Sequence, residues 1–176
     1  GVASVFLVLI AGVILSTWQA VRAHQAEASA EAVTNFLQND LLAQASAANQ
    51  SGPNRKPDPN LKVRTALDRA VAKITGKFDT QPRIAAAIRD TIGQTYLDLG
   101  LYAQAQQQLE LALDLHRQAE GNQTPETLHT ARSLGDVLER QGKYAEAETL
   151  QDRTLQMMSR VLGPEHPDTL RSMNAL

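Results

Sequence analysis

Apolar and polar positions follow three regimes along the chain. Over residues 1–21 (GVASVFLVLIAGVILSTWQAV) no charge occurs, and the first charged residue is Arg22. Apolar side chains surround any helix drawn through this stretch, with no 3.6-residue stripe to face a protein core. A helix of that length rises roughly 30 Å, about the hydrocarbon thickness of a bilayer. Ser16 and Thr17 can bond carbonyls one turn back, and Trp18 sits where an interfacial anchor belongs. The pattern predicts a transmembrane helix over 1–21, with the lipid bilayer as its partner. A cleaved signal peptide would need a basic n-region and a small-residue cleavage site, and neither is present. Arg22 and His24 are offset by Glu27 and Glu31, so orientation is poorly set by charge.

The second regime, residues 22–50, is rich in Ala, Gln and Glu and free of Pro and Gly. These are good helix formers, so the membrane helix is expected to run on as a juxtamembrane stalk. Val33, Phe36, Leu37, Leu41 and Leu42 form one apolar stripe on it. One short stripe leaves two options open: pairing two stalks into a homodimer, or packing on the domain behind. Residues 51–60 (SGPNRKPDPN) then carry three prolines and a glycine and read as an exposed linker.

The third regime is a repeat. Gly93 and Gly135 lie 42 positions apart, and the same offset pairs Gly100 with Gly142, Tyr102 with Tyr144 and Ala105 with Ala147. Leu113 and Leu155, Gly121 and Gly163, Pro125 and Pro167, and Leu128 and Leu170 continue it without a gap. Each unit reads as two antiparallel helices. The first has helix A over 84–99, a turn at Gly100, and helix B over 102–119, ended by Gly121. The second has Thr124 as N-cap, Pro125 at the first helical position and Glu126 favourable to the helix dipole. Its helix A runs to Gln141, Gly142 turns the chain, and helix B covers 144–162. His166-Pro167-Asp168 repeats the start signal, opening a third unit over 167–176. Residues 61–83 hold one more helix, with Leu67, Ala70, Val71 and Ile74 on one face, as helix B of a degenerate preceding unit. Gly93 with Ala105, and Gly135 with Ala147, let helices A and B approach closely, while Tyr102 and Tyr144 wedge the A–B turns. The units therefore span 84–124 and 125–166. The start at Gly1 without Met, and the stop at Leu176 within a helical pattern, read as part of a longer protein.

The I/L-G…G-x-Y-x-x-A…L pattern of these units resembles the tetratricopeptide repeat (TPR). The 42-residue period and the run Gly163-Pro164-Glu165-His166-Pro167-Asp168-Thr169-Leu170 are similar to its kinesin-light-chain-type variant. The resemblance covers about residues 61–176. Leu138 replaces the tyrosine present at Tyr96, and Gln151 and Thr154 replace Leu109 and Ala112, so looser packing is expected in the second unit. The whole chain, from STWQAVRA through FLQNDLLAQASA and LDRAVAKITGKF to IRDTIGQTYLDLGLYAQA, resembles the C-terminal half of bacterial TPR-containing serine/threonine protein kinases. That resemblance implies an upstream cytoplasmic, ATP-binding kinase domain and a single-pass anchor in the bacterial inner membrane. It also implies an extracytoplasmic or periplasmic repeat region that senses or binds a partner. The expected fold class is all-α: a transmembrane helix and helical stalk followed by a TPR α-solenoid of antiparallel helix pairs. A stand-alone membrane-anchored TPR scaffold without a kinase is the alternative.

Composition narrows the chemistry. The chain is 43% hydrophobic but 4% aromatic, so its core is built of Ala, Leu, Val and Ile, which favours packed helices over a sandwich. The net charge of −2 offers no basic surface to nucleic acid, and the absence of cysteine removes disulfides and thiolate metal sites. No G-x-G-x-x-G loop, H-R-D or D-F-G occurs, Gly76-Lys77 is not a P-loop, and no catalytic residue or cofactor is expected in this segment. His24, His116, His129 and His166 lack metal-binding spacing and read as exposed or capping. Glu146 and Glu148 point to different sides of a helix. Asn49-Gln50-Ser51 and Asn122-Gln123-Thr124 match the glycosylation pattern, which a bacterial origin would make incidental. What remains is a groove. TPR helix A lines the concave face, so the candidate peptide-binding residues are Asp90, Gln94 and Asp98, with His129, Arg132, Asp136, Glu139 and Arg140 on the next helix A. This mixed row suits a polar protein or peptide segment.

Overall fold

The computed structural model describes residues 27–28, 30–36, 38–39 and 62–174. The transmembrane helix expected over 1–21, the linker at 51–60 and Leu37, Leu41 and Leu42 lie outside the described residues. Among the described residues no helix is long and apolar enough to cross a membrane.

Among the described residues from 62 onward, six helices follow one another: α1 (Val63–Ile74), α2 (Pro82–Asp98), α3 (Tyr102–Glu120), α4 (Pro125–Arg140), α5 (Tyr144–Val161) and α6 (Pro167–Met173). Among the described residues there is no strand, and the fold is all-α. Pairs α2–α3 and α4–α5 are the two expected repeat units, and each successive helix packs on the one before it. Pro82 at the first turn starts α2 two residues ahead of Ile84.

The turns carry the period into three dimensions. Gly100 and Gly142 both adopt left-handed conformations, with φ of 72° and 77°. At the first turn Gly100 N–H bonds Leu97 O at 2.9 Å and Leu101 N–H bonds Tyr96 O at 2.8 Å. At the second, Gly142 N–H bonds Glu139 O and Lys143 N–H bonds Leu138 O, both at 2.9 Å. This double bond pattern is a Schellman motif, which satisfies the last carbonyls of helix A and reverses the chain. Thr124 caps α4 by accepting from Thr127 N–H at 3.3 Å. His166 caps α6 by accepting from Asp168 N–H at 3.2 Å.

The interior is one contiguous apolar cluster. It runs from Leu67, Ala70 and Ile74 of α1 through Ile88, Ile92 and Tyr96, then Ala105 and Leu109, to Val137 and Leu138 of α4. Close approach of A and B helices is required by two glycines. A Cβ on Gly93 would stand 2.7 Å from Leu109 Cγ, and one on Gly135 would stand 2.7 Å from Gln151 Cγ. Ala105 and Ala147 are both buried beside these crossings.

Three local expectations are corrected or decided. Residues 30–36 are helical, and of the two options for the stalk stripe its described part packs on the array. Phe36 is 1% exposed and meets Phe78 edge-to-face at 5.9 Å, with Val33 packed alongside. Tyr102 is half-buried, and Gln141 at the end of α4 donates to its backbone carbonyl at 3.0 Å, whereas Tyr144 at the corresponding position is 68% exposed. Finally, His116 is buried, not exposed or capping, and Glu120 one turn on accepts it into the interior.

Candidate functional site

The A helices α2 and α4 lie side by side and touch, so residues repeating every fourth position on each form a shared polar strip. On α2 the strip consists of Asp90 and Gln94, both half-buried, ending in exposed Asp98. On α4 it consists of His129, Arg132 and Asp136, half-buried, ending in exposed Glu139 and Arg140. Seven-residue α6 continues the order of helices and packs on α5.

Two contacts organise the strip. His129 Nδ1 faces Asp90 Oδ2 across the helix boundary at 3.9 Å, a charge pair only when the imidazole is protonated. Along α4, Arg132 Nη1 donates to Asp136 Oδ2 at 2.9 Å, an i,i+4 pair. Burial pushes the Asp136 carboxyl above its ordinary value, and the Arg132 guanidinium only partly opposes that shift. Glu139, Arg140 and His129 also act on Asp136 electrostatically. Five predicted residues, Asp90, Gln94, His129, Arg132 and Asp136, are thus gathered in one half-buried strip. Asp98 is left at its outer end, and Glu139 and Arg140 reach it through their charge.

The strip is incompletely satisfied. Asp90 Oδ1, Gln94 Nε2 and Arg132 Nε are each buried without a hydrogen-bond partner. A buried donor or acceptor left unpaired costs about 1–3 kcal/mol, so three in one place is an unusual density. Elsewhere Gln151 Nε2, Thr169 Oγ1 and Ser172 Oγ are also without a partner, but they lie on other helices, and several polar side chains of comparable burial are matched. Tyr96 Oη donates to Asp68 Oδ1 at 2.7 Å, and burial together with that carboxylate raises the phenol well above its ordinary range. Arg89 Nη1 donates to Gln108 Oε1 at 2.7 Å and Nη2 to Thr75 Oγ1 at 3.4 Å, and burial lowers the guanidinium from its ordinary value. Glu120 accepts from Arg83 Nε at 3.1 Å and meets His116 Nδ1 at 3.0 Å. These structural ties were not read from the sequence. The His116–Glu120 spacing of four was a usable signal, whereas nothing in the sequence pairs Arg89 with Gln108.

The strip offers both donors and acceptors, Arg132 and Gln94 among the first and Asp90 and Asp136 among the second, to a polar ligand. Among the described residues no group of three or more potential ligands could hold a metal ion. An open depression lined by Ala145, Thr149, Leu150 and Arg153 lies on α5, away from the strip.

Comparison with known families finds a match to the tetratricopeptide repeat over residues 83–151 and 126–176, together more than half of the chain. No curated protein matches it.

Proposed function

The chain belongs to the tetratricopeptide repeat family, and from that premise we propose that it is the membrane-anchored partner-binding or sensing module of a bacterial serine/threonine protein kinase. TPR repeats mediate protein–protein contacts, and here the strip across α2 and α4 is where a peptide binds. The observation that carries this is the set of unpartnered atoms on Asp90, Gln94 and Arg132, which a bound chain would complete. Membrane anchoring rests on the charge-free run over 1–21, and the kinase linkage on the resemblance of the whole chain. The repeat region then lies outside the cytoplasm of a single-pass inner-membrane protein. The alternative, a stand-alone anchored scaffold, shares the same strip and differs only upstream of Gly1.

The binding test uses a random peptide library displayed against the full chain and against Gln94→Ala plus Arg132→Ala. Loss of most binders in the double variant is expected. An unchanged set of binders would overturn the assignment of the strip. Membrane anchoring predicts that the chain stays with the vesicle fraction after alkaline washing, and its release would remove that part of the reading. Reading the coding frame upstream of Gly1 separates kinase from scaffold: H-R-D and D-F-G motifs support the first, a start codon directly upstream the second.

A further inference from the structure

The strip also indicates what kind of peptide it takes. Its eight residues set four carboxylates, Asp90, Asp98, Asp136 and Glu139, against two guanidiniums, Arg132 and Arg140, with His129 counted neutral. Half of that deficit lies in the half-buried part, where Asp90 and Asp136 face the single guanidinium of Arg132. Asp90, whose side chain is 18% exposed, has Oδ1 buried with no partner and Oδ2 facing only the edge of a partly exposed imidazole at 3.9 Å. Asp136 has one guanidinium contact, at 2.9 Å. A half-buried carboxylate with unfilled lone pairs is stabilised most by a charged donor, because charge-assisted bonds are roughly twice as strong as neutral ones.

We infer that the strip binds a basic peptide segment, seating an arginine or lysine head group beside Asp90 and Asp136 between helices α2 and α4. His129 marks the place. Its Nδ1 lies 3.9 Å from Asp90 Oδ2, and when protonated it also acts on Asp136 through its charge. A guanidinium or ammonium entering there supplies the donors that Asp90 Oδ1 lacks. The carbonyls on either side of that residue give acceptors to Gln94 Nε2 and Arg132 Nε on these two half-buried side chains. Arg132, engaged by Asp136 on one side, keeps the site from accepting a run of cations and favours one or two spaced among neutral residues. An acidic peptide would face the majority charge of the strip. The inference rests on the strip being the binding site and specifies its ligand.

The test titrates the full chain in nanodiscs with a fluorescein-labelled Ser/Ala peptide carrying two spaced arginines, and with its glutamate counterpart. The arginine peptide is expected to bind and the glutamate peptide not. Asp90→Asn plus Asp136→Asn should weaken the arginine peptide at least tenfold, with a melting curve like that of the parent chain. Should that double variant fail to fold, the carboxyl titration of Asp136 in the parent chain serves instead: it should move to lower pH on adding the arginine peptide. Binding of the glutamate peptide, abolished by Arg132→Ala, would overturn the basic-peptide inference while leaving the strip as the site. Arginine-peptide binding that is indifferent to Asp90, Asp136, Gln94 and Arg132 would overturn both.

Discussion

The pairs α2–α3 and α4–α5 share a backbone design but differ in what fills it. Both turn through a left-handed glycine with the same two hydrogen bonds, and both cross at a glycine that leaves no room for a methyl group. Gly93, however, presses on Leu109, and Ala112 lies one turn further along α3, so that crossing is sealed by hydrocarbon. At the same positions the second pair has Gln151 and Thr154, both buried. Thr154 turns its hydroxyl to Leu150 O at 2.7 Å, but Gln151 Nε2 has no partner. The polar load is exchanged one turn later, where His116 of the first pair corresponds to Met158 of the second. His116 has Glu120, itself tied to Arg83, while Met158 needs nothing. The pairs also differ in their caps: Thr124 bonds into the first turn of α4, whereas α2 has no side-chain cap. A few small residues therefore fix the geometry, and the filling is free to vary as long as volume is kept.

The largest expected effect sets Gly93→Ala against Gly135→Ala. At Gly93 the new methyl group meets Leu109 Cγ at 2.7 Å and Leu109 N at 3.4 Å. Overpacking of that kind costs about 1–3 kcal/mol, only partly offset by about 1 kcal/mol of helix propensity. At Gly135 the nearest atom is Cγ of the buried, unbranched Gln151 at 2.7 Å, which must also shift but has no branch and no bond at Nε2 to lose. Urea unfolding should show a loss for both, smaller for the second. Equal losses would show that the two crossings are equally rigid. Next, Gln151→Leu restores the residue type found at Leu109 and removes an orphaned amide, so it should stabilise by about 1 kcal/mol in the same assay. Destabilisation would show that the amide is satisfied in solution.

The smallest effect probes the Tyr96–Asp68 tie, which has no counterpart at Leu138. Tyr96→Phe should cost about 0.5–1.5 kcal/mol at neutral pH. The pH sign follows from the raised phenol. Above an ordinary value of 10.0 the unfolded tyrosine loses its proton while folded Tyr96 keeps it. The folded state then holds more protons, so stability falls as pH rises beyond that point. Thermal melts of the Phe variant should show a shallower alkaline decline than the parent, and identical slopes would refute the assignment.

Much of this was legible because repeats write their geometry twice. The 42-residue offset of Gly93, Gly100, Ala105 and Gly121 gave helix pairs, turns and crossings, and the Thr124-Pro125-Glu126 start gave a cap that the structure contains. The groove strip was legible too, since a spacing of four on successive A helices places Asp90, Gln94, Arg132 and Asp136 on one side. Less was legible wherever a side chain's fate depends on an element far away in sequence. Tyr102 and Tyr144 occupy the same register, yet Tyr102 is half-buried and Tyr144 is 68% exposed. His116 reads as a surface residue until Glu120 and Arg83 are brought together around it.

The sequence by itself thus determined the period, the helix boundaries of the two full units to within two residues, the glycine crossings and the face on which the polar strip lies, because these depend on local conformation and steric size. The tertiary structure alone decided that Phe36 packs edge-to-face against Phe78. It alone brought His129 to Asp90 across two helices and left three polar atoms of the strip without partners. Such pairings depend on how neighbouring helices stack, and stacking is a sum over many small apolar contacts that no short motif encodes.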